Sequence, residues 1–144
     1  MTPKKRVLIL CTGNSCRSQM AEGWVRHDLG DLVDVFSAGT HPSYVHPLAV
    51  RVMAEAGVDL SGHGSKSLSL YWGESFDMVV TVCDSARESC PVFLGAKRQA
   101  HESIPDPVIY VRDGEETALE KFRQVRDLIR ERVVARVRAE IEES

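Results

Sequence analysis

Val7-Leu8-Ile9-Leu10 runs directly into Cys11-Thr12-Gly13-Asn14-Ser15-Cys16-Arg17-Ser18. Four consecutive apolar residues bounded by polar ones read as a strand buried on both faces, the pattern of a parallel sheet. Residues Gln19 to Leu29 read as a helix directly after it. The intervening stretch is therefore a strand-to-helix loop that opens on a cysteine and closes on an arginine. Such a loop aims backbone N–H groups and a helix N-terminus at one spot, which makes an anion site. The same positive field favours the thiolate form of a cysteine there, the nucleophilic form. Arg17 adds a planar fork suited to a tetrahedral oxyanion. One segment thus supplies a nucleophile in Cys11 and an anion cradle from Thr12, Gly13, Asn14, Ser15, Cys16, Arg17 and Ser18.

Outward from this loop, strands alternate with helices. A second strand is expected over Val33 to Ser37, a helix over His46 to Ala56 with Gly57 as its stop, and a short helical turn over Leu68 to Trp72. Met78 to Val82 is another continuous apolar run. A fourth strand, the weakest pattern, falls around Arg98 to Glu102. From Glu115 to Glu142, apolar residues recur at helical spacing: Leu119, Phe122, Val125, Leu128, Ile129, Val133 and Val137. The alternation predicts an α/β domain with a parallel sheet and helices on both faces. Ligands in such sheets sit at the carboxyl ends of strands. Cys11 and Cys83 both stand just beyond such ends, so the two sulfurs are expected on one edge of the sheet.

The 144 residues suit one domain spanning 1–144, and a 43% hydrophobic share is enough for a core. A net charge of -3 argues against a general nucleic-acid binder. No apolar run approaches the length of a membrane span, and the short basic-then-apolar start does not read as an export signal. A cytoplasmic protein is expected, with neither nucleic acid nor membrane as partner, and a monomer. In a reducing compartment, cysteines are more often catalytic or metal-binding than structural bridges.

The four cysteines form two pairs, Cys11 with Cys16 and Cys83 with Cys90. Their spacings lack the short knuckles of a structural zinc site, so no metal and no cofactor is expected. A static disulfide, or packing alone, stays open; packing suits Cys16 best and Cys11 least. The functional alternative is a thiol relay, ordinary thiol–disulfide exchange among Cys11, Cys83 and Cys90. Ile104-Pro105-Asp106-Pro107 adds a carboxyl stiffened by proline on both sides. Asp106 reads either as a general acid or as an ordinary Asp-Pro turn.

At these residues the chain resembles a known family. Cys-x₅-Arg-Ser after the first strand is the signature of low-molecular-weight protein tyrosine phosphatases. The longer string from Cys11 to Gly23, with Cys83, Cys90, Asp106-Pro107 and Ser37-Ala38-Gly39, resembles the thioredoxin-coupled arsenate reductases built on that fold. The resemblance implies a four-stranded parallel sheet and reduction of arsenate, bound in the Cys11 to Arg17 loop, to arsenite. It implies that Cys11 attacks arsenic, Asp106 protonates the departing oxygen, Cys83 attacks Cys11, and Cys90 attacks Cys83. The last disulfide is then reduced by thioredoxin. Ser18 is expected to hydrogen-bond Cys11 and Asn14 to brace the loop. Two departures stand out: Val108-Ile109-Tyr110 replaces the tyrosine pair of many of the phosphatases, and the segment after Asp106-Pro107 is longer than usual for the reductases. A phosphate monoesterase is the alternative; it needs Cys11, Arg17 and Asp106 but has no use for Cys83 and Cys90. Some related reductases bind potassium beside the loop. Asn14, Glu22 and Ser37 match positions of that site, but Lys66 stands where the pattern has an aspartate. An ammonium there would replace a cation rather than ligate one.

Overall fold

The computed structural model describes residues 4–83 and 95–143. Four parallel strands, β1 (Lys5–Cys11), β2 (Val33–Gly39), β3 (Phe76–Thr81) and β4 (Ala96–His101), form one sheet in the order β2-β1-β3-β4. Leu10 pairs with Ala38 on one side and with Thr81 on the other. This order explains the strand sequences. The central strands β1 and β3 are covered on both faces and carry unbroken apolar runs. The edge strand β4, with sequence Ala96-Lys97-Arg98-Gln99-Ala100-His101, has no fully buried residue, so its apolar signal is weak.

Among the described residues the α-helices are α1 (Arg17–Leu29), α2 (Pro47–Glu55), α3 (Glu115–Ile129) and α4 (Ala135–Glu143). Val7 and Ile9 on one face of β1 pack with Met20, Trp24, Met53, Phe122, Ile129 and Val137 from these helices. Leu8 and Leu10 on the other face meet Leu68, Phe76 and Val79, with Phe36 and Tyr71 at the margin. Leu68 and Tyr71 belong to a 3-10 helix, Leu68–Tyr71, which lies between α2 and β3 in the chain.

One element differs from the sequence expectation. The last helix is interrupted by a π turn over Arg130–Val134. There the Trp24 indole donates to the Arg126 carbonyl at 3.0 Å, and the Arg130 N–H is shared between the carbonyls of Arg126 and Asp127. Local apolar spacing carries no trace of a tryptophan from another helix. The segment after Asp106 is a 3-10 helix, Pro107–Asp113, with only Pro107 buried.

Strand order reverses between β1 and β3: β1 connects outward to β2, and β3 outward to β4. The crevice at the carboxyl ends of these two strands is the usual ligand position in such sheets. Cys11 ends β1, and Cys83 lies two residues beyond β3.

Candidate active site

The loop between β1 and α1 is held from outside. The N–H groups of Thr40, His41, Ser43 and His46 donate to the carbonyls of Cys11, Thr12, Gly13 and Ser15 at 3.2, 2.8, 3.0 and 3.0 Å. Among the described residues, the amides of Gly13, Asn14, Ser15 and Cys16 have no protein acceptor. Four of the loop's carbonyls are thus consumed by the segment after β2, the Asn14 carbonyl accepts from Ser65 Oγ at 2.6 Å, and the loop's donors remain for an anion. Gly39 permits this approach, since a Cβ there would meet the Thr12 carbonyl and lie 2.8 Å from the Asn14 nitrogen.

Beneath the loop runs a buried polar chain. Asn14 takes the left-handed backbone conformation, φ 46°, and is fully buried. Its amide donates to Ser18 Oγ at 2.8 Å and Ser37 Oγ at 3.0 Å. Its Oδ1 accepts from Gln19 Nε2 at 3.0 Å and from the Lys66 N–H at 2.9 Å. Ser37 donates in turn to Glu22 Oε1 at 2.6 Å. With the Asn14 amide directed at Ser18 Oγ, the Ser18 hydroxyl proton is free for Cys11 Sγ, 2.9 Å away. Glu22 is buried with Arg26 Nη1 at 2.9 Å and Lys66 Nζ at 3.8 Å. His63 Nδ1 lies 2.9 Å from Gln19 Oε1 and fixes which way that amide points. Burial holds His63 below the ordinary imidazole range, against an upward pull from Glu22, so its 3.4 Å approach to that carboxylate is a neutral contact near neutral pH.

Arg17 begins α1 and reaches across to the segment after β4. Its Nη1 donates to the Ile104 carbonyl at 3.1 Å, and Nη2 lies 3.7 Å from Asp106 Oδ2. Its Nε is buried without a partner. An orphaned buried donor costs about 1–3 kcal/mol, and an oxyanion seated in the loop offers it an acceptor. Asp106 also accepts from the Val108 N–H at 3.0 Å. The turn reading and the acid reading of Asp106 therefore describe one geometry: the carboxyl caps the 3-10 helix with one oxygen and faces Arg17 with the other.

Cys11, Cys16 and Cys83 are free, buried thiols. Thr12 Oγ1 lies 3.2 Å from Cys83 Sγ, which brings the second cysteine against the residue next to Cys11. Cys16 is different. Burial, then the Asp106 carboxylate, pushes its thiol up to about 12, so it stays protonated and serves packing. Asn14, expected in the anion cradle, turns its side chain wholly to the network beneath. Cys90, expected as the third thiol of the relay, lies outside the described residues. Among the described residues no cluster of histidine, cysteine and carboxylate groups could hold a metal ion, and no helix is long and apolar enough to cross a membrane. Gln19, His63, Ser65 and the belt from Thr40 to His46 were not legible as site residues. They act on the backbone of the loop or, for His63, on the Gln19 amide, contacts for which residue type is a weak signal.

A cysteine closing a central strand, an anion loop and an arginine at the start of the following helix define a class of cysteine-dependent enzymes acting on tetrahedral oxyanions. The chain belongs to the low molecular weight phosphotyrosine protein phosphatase family, whose model matches residues 6–144. It is 44% identical over 133 residues to an arsenate reductase of Halalkalibacterium halodurans, covering 90% of this chain and 93% of that one. A solved structure described as an arsenate reductase in the phosphate binding state superposes with a TM-score of 0.80 at 33% identity, covering 95% and 98% of the two chains. A thioredoxin-dependent arsenate reductase of Corynebacterium glutamicum matches with a TM-score of 0.67 at 28% identity, covering 98% of this chain and 63% of that one.

Proposed function

We propose that this protein is a cytoplasmic, thioredoxin-coupled arsenate reductase that works through Cys11, Cys83 and Cys90. Arsenate enters the loop, where the amides of Gly13 to Cys16 and the Arg17 guanidinium bind its oxygens. The Cys11 sulfur attacks arsenic, and Asp106 supplies the proton with which one arsenate oxygen leaves as water. The Cys83 sulfur then attacks Cys11 Sγ. The electron pair of the sulfur–arsenic bond goes to arsenic, which departs as arsenite, and a Cys11–Cys83 disulfide remains. Cys90 attacks Cys83, frees Cys11 and leaves a Cys83–Cys90 disulfide for thioredoxin.

The observation that carries this reading is the 3.2 Å contact between Thr12 and Cys83. A phosphatase needs the loop, the arginine and the acid, but has no use for a second free thiol against the loop. The Lys66 ammonium, 3.8 Å from Glu22, acts in this reading as a built-in cation beside the loop, where a potassium ion would be redundant.

The test is arsenate reduction with thioredoxin, thioredoxin reductase and NADPH, beside hydrolysis of a chromogenic phosphate ester. Cys11→Ser is expected to abolish both. Cys90→Ser should release one equivalent of arsenite and stall as a Cys11–Cys83 disulfide detectable by peptide mass. Steady turnover of Cys90→Ser at the wild-type rate would refute the three-thiol relay. Ester hydrolysis without arsenate reduction would establish the phosphatase.

A further inference from the structure

Three consecutive residues leading to Asp106 are each held by a different arginine. Arg136 Nε and Nη2 donate to one Glu102 carboxylate oxygen at 2.9 and 2.5 Å. Arg132 Nη1 donates to the Ser103 carbonyl at 3.3 Å. Arg17 Nη1 donates to the Ile104 carbonyl at 3.1 Å. On the other side, the Ile104 N–H donates to the Val82 carbonyl at 3.1 Å, one residue before Cys83.

Beyond this clamp the backbone has little freedom. Pro105 and Pro107 have fixed φ, and each restricts the residue before it. A displacement at Ser103 or Ile104 is therefore passed to the Asp106 carboxyl rather than absorbed on the way. Arg132 is the least expected member. The neighbouring Arg123, Arg126 and Arg130 pair with Glu55 or Asp28. Among the described residues Arg132 pairs with no carboxylate, and its contact is the Ser103 carbonyl. It lies inside the π turn Arg130–Val134, and such turns recur where a helix serves a functional site.

We propose that Arg132 is a positioning residue for Asp106: from the π turn it anchors the base of a proline-stiffened arm and so sets where the acid stands over the anion loop. Arg136 supports the same arm at Glu102, and Arg17 links the arm to the bound oxyanion. The inference rests on the arsenate reductase reading for its reaction but not for its geometry, because Asp106 would serve ester hydrolysis from the same position.

The experiment is a double-mutant cycle of Arg132→Ala and Asp106→Asn in the full-length protein, read by single-turnover arsenite release and by steady-state kcat and KM. Arg132→Ala is expected to lower the single-turnover rate and kcat about tenfold with arsenate KM nearly unchanged. That is less than the ~10²–10⁴ of an acid itself, because Arg17 and Arg136 still hold the arm. Arg132→Lys, which keeps a donor for the Ser103 carbonyl, should restore most of the rate. In the Asp106→Asn background Arg132→Ala should cost nothing further, since the group it positions no longer donates a proton. An unchanged rate for Arg132→Ala, or the same loss in both backgrounds, would overturn the proposal. If the wild-type protein hydrolyses the chromogenic ester but does not reduce arsenate, the reductase reading fails, and the same cycle run on the ester decides the role of Arg132.

Discussion

Asn14 concentrates the loop's architecture in one amide, and its replacement is a quantitative test of it. Asn14→Ala removes four hydrogen bonds, to Ser18, Ser37, Gln19 and the Lys66 N–H, all at 2.8–3.0 Å. Each is worth about 0.5–1.5 kcal/mol net, and no solvent reaches the fully buried site to replace them. Alanine must also hold φ 46° without asparagine's tolerance of that region, at a further cost of up to about 1 kcal/mol. The expected loss is about 2–7 kcal/mol, a large part of the ~5–15 kcal/mol that holds a domain together. Asn14→Gly loses the same bonds without the backbone cost. It should therefore be more stable than Asn14→Ala by about 1 kcal/mol, the reverse of the usual alanine–glycine order. Urea unfolding under reducing conditions, with the slope checked for constancy, measures both. A loss below about 1 kcal/mol for Asn14→Ala, or a glycine variant less stable than the alanine one, would refute this account of the loop.

Lys66→Asp should turn a cation-indifferent protein into a potassium-responsive one. The wild type is expected to show the same activity and Tm in potassium and sodium salts at equal ionic strength, while the variant, with a second carboxylate near Glu22, should regain stability in potassium. Specific activation of the wild type by potassium would refute the surrogate role. Stability should also depend on pH through His46 and His63, both held below the ordinary value of 6.5, chiefly by burial. Groups so depressed bind more protons in the unfolded chain, so their contribution is complete above pH 6.5 and is lost as pH falls through that value toward the folded ones. Tm should decline from pH 7.5 to 5, and His46→Asn with His63→Gln should flatten the decline; an equal slope in the double variant would rule these two residues out as its source.

Much of the fold is written locally. Val7 to Leu10 and Met78 to Val82 show their burial on both faces because a central parallel strand has no solvent side to record. The anion loop is legible for a similar reason: nucleophile, donors and arginine are contiguous between Cys11 and Ser18, where chain connectivity alone brings them together. Cys83 and Asp106 were legible as residue types at strand ends, but their meeting with the loop was an inference from topology. Tertiary structure decided the rest. The Thr12–Cys83 contact, the belt from Thr40 to His46 and the triple arginine hold on Glu102 to Ile104 join residues remote in sequence. The π turn coincides with an indole arriving from α1. Each depends on which backbone carbonyl lies within about 3 Å of which donor. Every residue carries such a carbonyl, so composition and spacing cannot mark the one that is used; only the packing of α1, α3 and the strand ends against one another selects it.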